Sequence, residues 1–220
     1  MRPTTNTLNA VCMLTNMCCE PSSSLVHLGD LVEFESHYDR YRNELKGTWK
    51  DNKLPGAGQV YDLGTHLIDQ VVSLFGKPEK VTGFVDNVRG IGDPGVDDSF
   101  TIILRYPKIE QRKYAMNVIL RANILSVRDA QLRFVVRGTK GSFVKYGLDV
   151  QEDQLKTMPF PLSTKRQWAD HKDALAYVEL FYNLAGVIRK GDELKVKWEE
   201  VTTVLEIIEL AQVPNQVELL

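Results

Sequence analysis

QLRFVVRGTKGSFVKY, residues 131–146, consists of two short runs rich in β-branched and aromatic residues set around Gly138-Thr139-Lys140-Gly141. Such runs on either side of a glycine-bearing turn predict a β-hairpin. The stretches 79–88, 98–106 and 113–121 upstream have the same β-rich character. Further back, Val32, Phe34, Ser36 and Tyr38 alternate with Glu33, Glu35, His37 and Asp39 over Leu31–Asp39, the period of a strand with one half-buried face. The strands number about six and are joined mostly by short turns, which favours an open antiparallel sheet over βαβ winding.

Helices interrupt the sheet pattern at two places. Between Val60 and Phe75, Leu63, Leu67, Val71 and Leu74 recur at helical spacing, flanked by Ile68, Val72 and Phe75, and Gly76 with Pro78 ends the element. Two more helices are predicted near the end of the chain, one carrying Leu175 to Ile188 and stopping at Gly191, the other from Trp198 to Ala211. Gln151–Asp173, with Pro159 and Pro161, reads as a surface excursion. Residues 1–27 lack a sustained period and read as a leader or remnant segment, leaving 28–220 as the folded domain.

Composition narrows the function classes. The chain has 220 residues, 43% of them hydrophobic, enough for a sizeable core, and a net charge of −2 that attracts neither nucleic acid nor an anionic membrane. Cys12, Cys18 and Cys19 lie together near the start without metal or disulfide spacing and read as reduced thiols. The expected setting is the cytoplasm, and neither a metal nor a membrane is expected as a partner.

A G-x-G-x-x-G run occurs at Gly90, Gly92 and Gly95. Its glycines bind pyrophosphate only when they open a helix, whereas here Pro94 interrupts and Val96–Ile102 continues as a strand. A hairpin turn is predicted instead. No cofactor is expected to bind this chain alone.

The start of the first helix reads G-x-x-x-D-x-G-x-H, through Gly58, Asp62, Gly64 and His66. Four residues apart, Asp62 and His66 share a helix face, and such a pair suits acid/base work because a carboxylate can orient a histidine that titrates near neutrality. Gly64 between them suggests close approach of another group to the first turn. Spacing alone favours a plainer reading, with Asp62 suiting the helix dipole and His66 a satisfied polar residue at a core edge. His37, beside Tyr38, either joins the substrate site or faces solvent, and solvent is favoured.

The runs LGDLVEFESHYDRYR, GAGQVYDLGTHLIDQVVSLFG and RFVVRGTKGSFVKYGLDVQEDQL together resemble the C-terminal domain of Gfo/Idh/MocA oxidoreductases over about residues 28–212. The resemblance implies an α+β domain whose open, mainly antiparallel β-sheet has helices packed on one face and often dimerises through the other. It implies that His66 lies beside the reacting carbon in acid/base transfer, that Asp62 holds the substrate or that histidine, and that Tyr146 and Asp149 lie near the same cleft. Members of the family place a dinucleotide domain, with a Glu-Lys-Pro segment, ahead of this region. Lys77-Pro78-Glu79 has other order and reads as a helix stop, so NAD(P) is expected only if a nucleotide domain is supplied in trans.

Three functions follow as expectations. The first is an oxidoreductase-like domain that binds a small carbonyl or hydroxyl substrate, with Asp62 and His66 as its acid/base groups. The second is a cofactor-independent isomerase, dehydratase or cyclase using the same pair. The third is a non-catalytic dimeric binding protein. A homodimer through the open sheet face is expected in each.

Overall fold

The computed structural model describes residues 28–110, 112–128, 130–147 and 176–213. The leader, the Gln151–Asp173 excursion and Asp149 lie outside the described residues. Six strands form one sheet: β1 (Leu31–His37), β2 (Lys80–Asp86), β3 (Ser99–Tyr106), β4 (Met116–Asn123), β5 (Leu132–Gly138) and β6 (Ser142–Tyr146). Their order is β2-β3-β4-β1-β5-β6, with every neighbouring pair antiparallel except β1 with β4. The hairpin read from residues 131–146 is β5–β6, and the α+β class with an open, mainly antiparallel sheet stands.

The helices are α1 (Thr65–Phe75), α2 (Ala176–Lys190) and α3 (Trp198–Ala211), with a single π-turn, Val60–Gly64, leading into α1. Leu67, Ile68, Val71, Val72 and Leu74 of α1 meet Ile207 and Ile208 of α3 over Phe34, Phe100, Ile102, Leu104, Val118, Leu120 and Val136 of the sheet, all at most 5% exposed. Each such side chain contributes roughly 1.5–3 kcal/mol when fully buried, so this layer dominates the stability. The helix stops where the sequence says. The Gly76 N–H donates to the Val72 carbonyl at 2.8 Å, and Tyr106 Oη donates to the Gly76 carbonyl at 2.8 Å.

The segment after β1 positions the site. The sequence extends this strand to Asp39, but regular pairing ends at His37, and the chain continues along the end of β4 with single bonds. The N–H groups of Tyr38, Arg40 and Arg42 donate to the carbonyls of Arg121, Asn123 and Ile124 at 2.8, 3.0 and 2.8 Å. Alternate donors anchored in this way set Arg40 and Arg42 on one side of an extended stretch. The Gly90–Gly95 run lies in the loop joining antiparallel β2 and β3, and no helix follows it.

Candidate active site

The π-turn is held from outside the helix. Asp97, at the end of the β2–β3 loop, accepts the Val60 N–H through Oδ2 at 2.9 Å, while its own carbonyl accepts the Gln59 N–H at 3.1 Å. Gly58, at φ 99°, lies so close that a Cβ there would run into the Asp97 carboxylate, so the sequence needs glycine at this point. Burial pushes the Asp97 carboxyl up to about 6, and the backbone N–H groups only partly offset it.

Asp62 lies within this π-turn, and single π-turns of this kind recur at functional sites. Its Oδ1 accepts a 2.5 Å hydrogen bond from Lys50 Nζ. Burial pushes the Asp62 carboxyl up, but Lys50, with Lys46 and Arg40 behind it, outweighs this and holds the carboxyl below its ordinary value. Asp62 is therefore a fixed anion matched to an ammonium. Around the pair opens a small cleft lined in part by Arg42, Lys46, Gln59, Arg89 and Asp97.

His66, one turn further on, is exposed. No hydrogen bond or ion pair joins it to Asp62 among the described residues. Its electrostatic neighbour is Asp69, whose carboxyl is raised by burial and by Glu200 and lowered by His66. The structure thus keeps both members of the sequence motif at the helix start but gives Asp62 a different partner. Gly64 departs from its expected role as well: a Cβ there would sit 3.5 Å from the Phe100 ring, an ordinary contact on the inward side.

The remaining expected residues gather elsewhere. His37 does not face solvent. It is 4% exposed, with Nε2 3.2 Å from Glu35 Oε2 and Nδ1 3.6 Å from Asp39 Oδ2. It ends β1, and Arg133 of the neighbouring β5 donates to the His37 carbonyl at 2.9 Å and to Ser36 Oγ at 2.8 Å. Around it lies a second, smaller depression, which shares no lining residue with the Asp62 cleft. Tyr146 is 56% exposed at the end of β6, opposite Leu132, and the next residue, Gly147, borders the His37 depression. His37 and Tyr146 therefore belong to one neighbourhood and Asp62 to another. Sequence reasoning missed Arg40, Arg42, Lys46, Lys50 and Asp97. The R-x-R spacing at 40 and 42 was the available signal, but it becomes meaningful only once the backbone bonds to β4 are known.

A model of the GFO/IDH/MocA C-terminal domain matches residues 26–144. An uncharacterized oxidoreductase, C115.03 of Schizosaccharomyces pombe, is 46% identical over 158 residues, which is 71% of this chain and 40% of that protein. The scyllo-inositol 2-dehydrogenase (NADP(+)) IolW of Bacillus subtilis is 31% identical over 204 residues, covering 84% of this chain and 54% of its own. Among solved structures, an oxidoreductase from Bacillus cereus aligns with a TM-score of 0.61 at 29% identity, over 89% of this chain and 60% of that one. YPO2259 from Yersinia pestis aligns at 0.64 and 29% identity, over 94% and 57%. The chain spans about half the length of the curated relatives it matches, 40% and 54% of the two named here.

Proposed function

Because this chain belongs to the Gfo/Idh/MocA oxidoreductases, carrying their C-terminal domain, we propose that it binds a small hydroxyl or carbonyl substrate at the start of α1, with His66 as its acid/base group and Asp62 as the fixed anion that holds the substrate. The observation that carries this reading is the placement of the G-x-x-x-D-x-G-x-H run. Asp62 lines the cleft and His66 stands exposed one turn away, open to a substrate atom.

The chain's own groups divide the work. His66 takes the proton of a substrate hydroxyl when that carbon is oxidised and returns it in the reverse direction. Asp62 and Lys50 offer an acceptor and a donor to hydroxyls flanking the reacting carbon, and Asp97, poised near 6, is a second group able to hold a proton close to neutrality. NAD(P) enters this reading only through a nucleotide-binding domain, because the glycine loop of the described residues opens no helix. The relative named as an inositol dehydrogenase supports a polyhydroxylated ring as the first substrate to try.

The test is turnover of scyllo-inositol, related polyols and their phosphate and carboxylate derivatives by wild type and His66→Ala, with and without NADP and a nucleotide-domain partner. A loss of about 100-fold or more in the variant is the size expected of a lost general acid/base. Equal rates in a working assay would remove His66 from the chemistry, and turnover without nicotinamide would favour the isomerase, dehydratase or cyclase reading.

A second copy is proposed to cover the open sheet face, where Phe84, Ile103, Ile119 and Val144 lie beside the paired Glu35 and Arg137. Gel filtration with light scattering should give a dimer. A monomer at high concentration would contradict it. No helix among the described residues is long and apolar enough to cross a membrane.

A further inference from the structure

The Asp62 cleft holds more positive charge than the chain neutralises. Of the cations around it, Lys50 is paired with Asp62, and Arg89 with Asp98 through Nε to Oδ2 at 2.7 Å. Asp51 is engaged by the Thr48 N–H at 3.0 Å, and Asp97 by the backbone of the π-turn. Arg40, Arg42 and Lys46 have no carboxylate partner among the described residues. The Arg40 guanidinium reaches only the amide oxygen of Gln59, at 3.2 Å. Arg40 Nε and Arg42 Nη1 are buried N–H groups with no acceptor.

Such donors are costly, since a buried polar group left unmade loses its hydration without return. They are also unlike the solvated lysines of an ordinary surface. The segment carrying them is pinned to the end of β4, so the two guanidinium groups are presented by fixed backbone. Like charges crowd here as well. Burial lowers Arg40 below its ordinary value and Arg42 lowers it further, and Lys46 is lowered by burial, then by Arg42 and Arg40, with Asp62 offsetting only part of the shift in each. An oxyanion in the cleft would relieve this crowding and give Arg42, which lines it, an acceptor for its buried N–H.

We propose that the Asp62 cleft is built to receive an oxyanion, a phosphate or carboxylate group, between Arg42 and Lys46, with Arg40 behind them. The substrate class for the proposed chemistry thereby narrows to hydroxy or oxo compounds that carry an anionic arm, while Lys50 and Asp62 face their neutral hydroxyls. This substrate assignment rests on the active-site reading above, whereas the anion site itself does not.

The test is isothermal titration of the full chain with inorganic phosphate at low ionic strength, where screening is least, followed by glucose 6-phosphate, glucose and NADPH. Saturable phosphate binding is expected, weakened at least about tenfold in Arg42→Gln and in the exposed Lys46→Gln, and unchanged in Arg137→Gln on the open sheet face. Circular dichroism separates lost binding from lost folding. The Lys46 variant keeps the test decisive if Arg42→Gln unfolds. Glucose 6-phosphate binding tighter than glucose, with the gain lost in the variants, assigns the anion to the substrate. NADPH displacing phosphate with the same dependence assigns it to a dinucleotide phosphate. No saturable binding, or binding indifferent to both substitutions, overturns the site. Because the readout is binding, it can fail while His66→Ala still abolishes turnover, and the reverse.

Discussion

The two depressions differ in how fully the chain answers its own charges. At the His37 depression Glu35 and Asp39 flank the imidazole, and Arg133 supplies Ser36 and the His37 carbonyl. At the Asp62 cleft the carboxylates are spent on Lys50 and on backbone N–H groups, and Arg40, Arg42 and Lys46 are left facing one another. A histidine is a stronger chemical signal in a sequence than an arginine. Yet here His37 is buried at the end of β1, and the arginines are the groups left with binding capacity.

Breaking the His37 depression should produce the largest stability loss. In Arg133→Met the guanidinium that lies 4.2 Å over the Phe134 ring is lost, and the buried Ser36 hydroxyl and His37 carbonyl lose their donor. Leaving such acceptors unmet costs about 2–4 kcal/mol. Urea unfolding should show that loss while phosphate binding by the remaining folded protein stays at the wild-type level. A matching loss of phosphate affinity would mean that the two depressions are coupled rather than independent.

The Asp97 carboxyl tests the other side of the comparison through pH. Its folded value stands at about 6 against 3.8 for the free group. Between those values the folded state binds more protons than the unfolded one, so its contribution to stability is complete below 3.8 and fades as pH rises through about 6. At about 1.4 kcal/mol per unit before solvent screening, the effect is on the order of 1–3 kcal/mol. In Asp97→Asn, whose amide oxygen can still accept the Val60 N–H, thermal unfolding should lose that fall across the window. An unchanged pH slope would place the titrating group elsewhere.

The sheet was readable because its signals are local: period-two alternation in Leu31–His37, the glycine turn of β5–β6, and apolar spacing in α1 closed by Gly76. The fate of Gly90–Gly95 was equally local, since a strand rather than a helix follows it. Partner choice was not readable. Asp62 bonds to Lys50, twelve residues away, rather than to His66, four away, because the loop before the π-turn folds back over the helix start. Likewise His37 reads as solvent-facing from strand alternation, which cannot report that β5 brings Arg133 against it. The motif located the site, but its electrostatics come from contacts made across the fold.

Gly64 offers the smallest and most discriminating change. From its place between Asp62 and His66, the glycine suggests room for a substrate against the first turn. Its backbone, however, is ordinary right-handed helix, φ −60° and ψ −39°, and a Cβ would point at Phe100 and Val60 from 3.5 and 3.6 Å. The helix therefore bears glycine's entropic cost without needing its freedom, and Gly64→Ala should stabilise the protein by up to about 1 kcal/mol. Because the added methyl faces the core, affinity for phosphate and turnover at His66 should both be unchanged. If instead the variant folds as stably as expected but KM rises, then the substrate does approach the helix at this turn, and the cleft extends from the arginines past Gly64 toward His66.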